Sequence, residues 1–344
     1  MGFGRNIGAY HKMTGISKTL SCRFQSMAFF CACLVVVIHS FPGMGSVEEH
    51  GVGMWWMMKF IKAGLCQIAV PFFFLSSGYF LAGHFNDEKW YRCEIRKRLK
   101  TLVVPYFAWN MLYILMEVAF GWQIEGVFTA IGVGFGKPAL SSLWFVRSLF
   151  LLVLVSPLLA KLLWTRRSAL ITLICFYLLY GFFAPWAWTK SDLSWLLFYH
   201  FSLLGLFWFS LGIALRIHVL NDLPRHLNSV ALVVGIVLLS LKVFAERCGY
   251  AHSYYFGWLA IPFLMYITWH LMPSRVPFPR IASCSFGIYL IHKFFIAIFS
   301  KEVFGCGVIG HLTYCILIIV LSVLAAFLIK NLKIAAMILY GGRE

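Results

Sequence analysis

Charged residues are scarce in this 344-residue sequence, and acidic residues are the scarcest of them. Only 12% of the residues are Asp, Glu, Lys or Arg, and the 12 acidic residues face 29 Lys and Arg. Because soluble domains carry about 25% charged residues, the composition excludes an ordinary soluble fold. With 61% hydrophobic residues, the sequence indicates an integral membrane protein.

Several other features are missing. The sequence contains no CxxC pair, no fixed-period repeat and no low-complexity tract, and its ten cysteines are scattered. We therefore expect no metal site and no resident cofactor, since structural zinc sites usually bring ligands together at such spacings. The first apolar run has no small-residue cleavage site, so we expect no removable signal peptide.

Ten apolar segments are long enough to cross a bilayer as helices. They are residues 24–41, 67–83, 101–122, 143–164, 168–188, 199–218, 228–246, 253–272, 283–299 and 311–334. The sequence therefore predicts an all-α, polytopic membrane bundle of about ten transmembrane helices. The stretch MWWMMKFIKAG, residues 54–64, is a candidate interfacial helix with its tryptophans at the headgroup layer.

The formal net charge of +17 does not indicate a nucleic-acid-binding protein, because the cations lie in short connections between apolar runs. With the N-terminus in the cytoplasm, 20 Lys and Arg fall on the cytoplasmic side and seven on the outer side. Cytoplasmic loops are enriched in Lys and Arg, so both termini are predicted to be cytoplasmic. The predicted organisation is a basic segment 1–23, one transmembrane domain 24–334 and a short tail 335–344.

Few ionisable side chains lie within the predicted spans, where each costs about 2.5–3.5 kcal/mol at mid-helix on insertion scales. In the predicted topology all of them lie in the outer half, which suggests one polar chamber open to the outer face. Other interpretations stay open: a histidine at an interface, a snorkelling lysine, or a glutamate paired with a nearby cation. The residues are His39, Glu117, Arg147, His292 and Lys293.

The stretch KWYRCEIRKRLK, Lys89 to Lys100, is the densest basic patch. It can be an orientation signal that also binds anionic lipid headgroups. It can also hold a phosphorylated cytosolic ligand, because the planar guanidinium of arginine suits phosphate.

Five segments together resemble the acyltransferase-3 family of membrane-bound O-acyltransferases. In chain order they are FFCACLVVVIHS, VPFFFLSSGYFLAG, IRKRLKTLVVPYFAW, LWFVRSLFLLVLVSPLL and SFGIYLIHKFF, and the resemblance extends over about residues 24–334. It implies ten helices in a bacterial inner membrane. It also implies transfer of an acyl group, most often acetyl from cytosolic acetyl-CoA, to a hydroxyl of an extracytoplasmic glycan or its lipid-linked precursor. The implied partners are membrane lipids, the acyl-CoA donor and the glycan acceptor, and not nucleic acid.

The resemblance also assigns residues. His39 matches the family's essential histidine and is expected to act as the base that deprotonates the acceptor hydroxyl. Arg147 is the second expected catalytic residue and a candidate oxyanion donor. The residues expected to bind the acyl-CoA are Arg96, Arg98 and Lys100. The residues expected to bind substrate or oxyanion are Ser77, Gly78, Glu117, Trp144, Tyr289 and His292.

One position departs from the family pattern. The family pattern has an arginine in the first helix with ten residues between it and the histidine. Counting back from His39, that position is Ala28. The nearest arginine, Arg23, lies five residues closer to the N-terminus, which is about 7.5 Å of helix. Another cation can replace it, the donor can be held differently, or the chain can be a diverged or inactive member. A multi-span transporter or flippase and a non-catalytic membrane sensor are the competing functional classes.

Overall fold

The computed structural model describes residues 16–41, 51–119, 141–189, 203–218, 224–250, 252–299 and 307–342. Every regular element within these ranges is a helix. In chain order the α-helices are α1 (Lys18–Ser40), α2 (Val52–Met57), α3 (Ala69–Ala82), α4 (Trp90–Arg98), α5 (Val104–Ala119), α6 (Trp144–Leu162), α7 (Arg166–Thr189), α8 (Leu203–His218), α9 (Asn228–Arg247), α10 (Tyr254–Leu271), α11 (Pro279–Ala282), α12 (Ser285–Ile298), α13 (Val308–Asn331) and α14 (Lys333–Leu339).

The described helices confirm an all-α, multi-pass membrane protein. Seven helical runs among them are long and apolar enough to cross a membrane, and α8 and α12 are shorter apolar helices. A helix lies in each of the ten segments predicted from sequence, although residues 199–202 are outside the described ranges. The number of crossings and the location of the termini stay predictions.

The second predicted segment is part of a longer helical run, Val52–Ala82. This run changes to a π-helix at Met58–Lys62 and to a 3₁₀-helix at Leu65–Ile68 before α3 begins. Pro71 provides a physical reason for the second irregularity, because its ring disfavours an α-helical carbonyl four residues earlier, at Gln67. The stretch predicted to be an interfacial helix is therefore helical and continues into α3.

The third predicted segment begins earlier than expected. The basic stretch is not a loop: α4 and a π-helix at Leu99–Val103 lead directly into α5. Arg, Lys and Glu favour helix, and Glu94 pairs with Lys97 and Arg98 at helical spacing. The π-helix contains Thr101, four residues before Pro105, where the proline ring disfavours regular α-helix.

The last described residues, 333–342, form α14 and a short turn that pack against the bundle. The indole nitrogen of Trp109 donates to the carbonyl of Leu339 at 2.9 Å. Gly341 has a φ of +66°, and a Cβ there would lie 2.4 Å from the Cα of Thr101. The turn therefore requires glycine, both for its backbone conformation and for its close contact with the π-helix before α5.

Helix α1 lies at the centre of the packing, in contact with α3, α10, α12 and α13. Its N-terminus is capped by Ser17, whose side chain accepts from the amide of Leu20 at 3.2 Å. The most extensive helix pairs are α3 with α8, α9 with α10, and α12 with α13. The first predicted site residue, His39, therefore lies on a helix that is surrounded by other helices.

Gly78 permits the close contact between α3 and α8. A Cβ at this position would lie 2.0 Å from the carbonyl oxygen of Phe209. The neighbouring atom is backbone and has no side-chain rotation by which to move away. The close approach that this glycine permits in the structure is therefore to the backbone of α8.

We expect Gly78→Ala to destabilise the protein by about 1–3 kcal/mol, because the new methyl group forces α3 and α8 apart. The matched control is Gly53→Ala, whose methyl group would lie 3.8 Å from Val308, an ordinary contact. Thermal unfolding of the purified proteins in detergent measures the difference. Equal melting temperatures for the two variants would contradict the tight α3–α8 contact.

Candidate active site

His39 lies in the last turn of α1, next to the helix end. The amide of Phe41 donates to the carbonyl of Val37 at 3.2 Å and closes this turn. The ammonium of Lys62, from the π-helix Met58–Lys62, donates to the carbonyl of Phe41 at 3.3 Å. A cation at a helix C-terminus is favoured by the helix dipole. Lys62 therefore ties the segment before α3 to the end of α1 that carries His39.

The contact between α1 and α12 places two predicted site residues together. The ring centroids of His39 and His292 are 5.2 Å apart, and the ring planes are tilted by 30°. His292 is completely buried, whereas His39 is half-buried. Lys62 and Lys293 both lie within electrostatic range of His39. Two histidines thus lie together where α1 ends, with Lys62 hydrogen-bonded to the same helix end.

The hydrogen bond of His292 fixes the tautomer of its neutral ring. Its Nδ1 lies 2.7 Å from the backbone carbonyl of Tyr289. A carbonyl can only accept, so Nδ1 carries the hydrogen and Nε2 is an acceptor. Nε2 is buried and has no hydrogen-bond partner within the described part of the chain. In this tautomer Nε2 of His292 cannot donate a hydrogen bond to an oxyanion. It can only accept one.

Tyr289 connects α12 to the start of α6. Its ring packs against Phe73, Phe145 and Phe286, with centroids 5.6–6.4 Å apart. Its hydroxyl donates to the backbone carbonyl of Ser142, in the 3₁₀ turn before α6. The hydroxyl proposed from sequence as an oxyanion donor is therefore already used to hold that turn.

Arg147 is buried, with 2% of its surface exposed, two residues after Phe145 on α6. It lines a cavity of about 10 Å³ with Leu102, Val103, Tyr106, Val146 and Phe150. This volume is close to the minimum for one water molecule. Arg147 thus faces α5 and the π-helix before it. Of the residues predicted to share one chamber, the structure brings the two histidines together, whereas Arg147 lines a cavity to which neither histidine contributes.

The remaining residues predicted to bind substrate or oxyanion are placed as follows. Trp144 is half-buried, with its ring centroid 6.3 Å from that of Phe74. Ser77 is half-buried one helical turn after Phe73, so it lies on the face of α3 that carries Phe73 towards Tyr289. The side chain of Glu117 lies outside the described part of the chain.

The residues predicted to bind acyl-CoA lie on the helical run from α4 to α5. Arg96 and Lys100 are exposed, whereas Arg98 is half-buried and its Nε donates to Glu94 at 3.2 Å. Glu94 is itself buried, with 3% exposed. Of these three cations, Arg96 and Lys100 are therefore the more accessible to an anionic ligand, while Glu94 offsets part of the charge of Arg98.

Ala28 lies where the resemblance predicts an arginine. Ala28 is half-buried on α1, and Arg23 is buried near the other end of that helix. Sixteen residues of helix separate Arg23 from His39, which is roughly 24 Å. The cations beside His39 are instead Lys62 and Lys293. Sequence reasoning did not select Lys62 as a site residue, although a lysine in the largely apolar run before Pro71 was a signal.

A model of the acyltransferase-3 family, described as an acyltransferase domain, matches residues 27–330. The match extends from the first turns of α1 almost to the end of α13 and includes both histidines. No curated protein and no solved structure matches the chain.

We expect Tyr289→Phe to lower the melting temperature, because it leaves the buried Ser142 carbonyl without its donor, at a cost of about 1–3 kcal/mol. Thermal unfolding in detergent, measured with acyl transfer per folded molecule, checks this expectation. Since the hydroxyl holds a turn, the loss should be mainly in stability. An unchanged melting temperature with abolished transfer would instead give this hydroxyl a chemical role.

Proposed function

Because the chain belongs to the acyltransferase-3 family, we propose that it transfers an acyl group from cytosolic acyl-CoA to a hydroxyl of an extracytoplasmic glycan or lipid-linked glycan precursor. Membership shows a membrane acyltransferase. The proposal adds acetyl as the acyl group, acetyl-CoA as the co-substrate, and a bacterial inner membrane as the location. It also includes ten spans with both termini in the cytoplasm.

The observation that carries this proposal is the half-buried ring of His39 beside the buried ring of His292. A sugar hydroxyl is a weak nucleophile near neutral pH, and a base within hydrogen-bond reach removes its proton as it attacks. Histidine suits this role because its ordinary pKa lies near 6.5. The position of His39 at the predicted outer end of α1 supports contact with an acceptor from that side.

The proposed reaction forms an ester and breaks a thioester. The acceptor oxygen bonds to the acyl carbon while its proton moves to His39. The carbon–sulfur bond of the tetrahedral intermediate then breaks, and the CoA thiolate leaves with the proton that His39 returns. An acyl-enzyme intermediate on Ser77 or His39 is the alternative order of steps, and both orders give the same products.

The developing oxyanion needs donors. Lys62 and Lys293 are the cations within electrostatic range of His39, which supports one of them in this role. Tyr289 is less suitable because its hydroxyl already donates to Ser142. Arg147 is better placed to line the path of the donor, since it shares a cavity with Tyr106.

The helical run from α4 to α5 supports a path for the pantetheine arm. Lys100 is exposed, and Tyr106 lines the cavity of Arg147 on the same run. The two positions are separated by roughly 9 Å of helix. We propose that Arg96 and Lys100 hold the CoA phosphates while the arm passes Arg147 towards His39.

We expect His39→Ala to lower transfer by about 10²–10⁴-fold at equal membrane abundance, because the hydroxyl loses its base. The measurement is the acyl mass increment on surface glycans, together with acyl-CoA consumption by purified protein. The matched control is His252→Ala, since His252 is exposed and precedes α10.

Unchanged glycan acylation in His39→Ala would overturn the role of His39. Movement of substrate across sealed vesicles without acyl-CoA consumption would favour a transporter. If the wild-type protein neither acylates glycan nor moves substrate across vesicles, a non-catalytic member of the family is favoured.

A further inference from the structure

We infer that His292 is a positioning residue for His39. Its Nε2 accepts a hydrogen bond from one ring nitrogen of His39, so that the other ring nitrogen is unprotonated and directed towards the acceptor hydroxyl. The inference rests on the proposed function, in which His39 is the base. It assigns His292 a role different from the substrate or oxyanion contact expected from sequence.

The first support is the unused acceptor on His292. Its Nδ1–H donates to the carbonyl of Tyr289 at 2.7 Å. The lone pair of Nε2 is therefore the remaining hydrogen-bonding group of the neutral ring. Nε2 is buried without a partner in the part of the chain that the structure describes. A buried acceptor without a donor costs about 1–3 kcal/mol, which favours an arrangement that supplies one.

The second support is the neighbour. The ring of His39 lies 5.2 Å from that of His292, centroid to centroid, and carries a nitrogen–hydrogen group in its neutral form. Rotation of the half-buried His39 ring can direct this group at Nε2. A direct contact of Nε2 with substrate is less favourable, because none of the surface of His292 is exposed. His39 is the partner that is both close and only half-buried.

The third support is chemical. A catalytic base is typically oriented by a third group that accepts from its second nitrogen, most familiarly a carboxylate. A neutral imidazole can perform the same task where a carboxylate would add a buried charge. When His39 takes up the proton, its bond to His292 becomes charge-assisted and stronger. The pair would thus hold the correct tautomer of His39 before the reaction and stabilise its cation during it.

The test compares three variants at position 292. His292→Gln keeps a side-chain acceptor near the position of Nε2, His292→Asn keeps an acceptor that is too short to reach, and His292→Leu removes the acceptor but keeps bulk. The matched control is His311→Leu, because the Nδ1 of half-buried His311 also lies 2.8 Å from a backbone carbonyl, that of Gly307. All proteins are compared as monodisperse full-length chains in detergent.

Two measurements distinguish a role of His292 in orienting His39 from a purely structural role. We expect His292→Leu and His292→Asn to lower kcat by about 10²-fold or more with KM for acetyl-CoA within about twofold, and His292→Gln to recover part of kcat. Diethyl pyrocarbonate should modify His39 more slowly in the Leu and Asn variants, since an accepting partner raises the basicity of an imidazole. Peptide mass spectrometry measures this rate without any turnover.

Equal kcat and equal modification rates for His39 in the wild type and all three variants would overturn the inference. So would a raised KM for the acceptor with unchanged kcat, which would indicate a direct substrate contact. If His292→Leu does not fold, the Gln and Asn variants decide the question. If wild-type protein transfers no acyl group, the proposed function fails, while the modification rate of His39 still tests its orientation by His292.

Discussion

The contact between α1 and α12 is the constraint on which the rest of the site depends. Within a membrane bundle, polar groups must find partners among themselves, because water is not available to satisfy them. On α12 the Nδ1–H of His292 is held by the carbonyl of Tyr289, and the hydroxyl of Tyr289 holds the carbonyl of Ser142 before α6. These bonds fix the ring of His292 beside His39 and leave one acceptor, Nε2, directed into the protein interior.

The same region joins parts of the chain that are distant in sequence. Lys62 caps α1 from the π-helix before α3, and the ring of Tyr289 packs against residues of α3 and α6. On another part of the chain, α4 with exposed Arg96 continues through the π-helix that carries Lys100 into α5, whose Tyr106 lines the cavity of Arg147. The proposed transfer requires a donor and an acceptor to meet at His39, and we propose that the donor passes along this helical run.

Hydropathy predicted where the helices lie, because in a membrane the backbone must bond to itself and apolar runs therefore become helices. It also predicted that His39 lies near the end of the first helix. It did not predict the helix at Trp90–Arg98, because this charged stretch has low hydropathy, whereas the ion pairs of Glu94 with Lys97 and Arg98 stabilise a helix. Nor did it predict that Gly78 faces α8 or that Lys62 reaches α1, because the partner of a residue is decided by tertiary packing. The resemblance to a family identified the two histidines, but only the structure gave their separation and the tautomer of His292.

The most direct test of a transfer site at His39 is a cryo-electron microscopy structure with a ketone analogue of acetyl-CoA, in which a methylene group separates the carbonyl from sulfur and prevents transfer. The account predicts that the analogue's carbonyl lies beside His39, within about 4 Å of its ring, and that its phosphates contact Arg96 and Lys100. A bound analogue whose carbonyl lies outside the bundle, away from both α1 and α12, would contradict it.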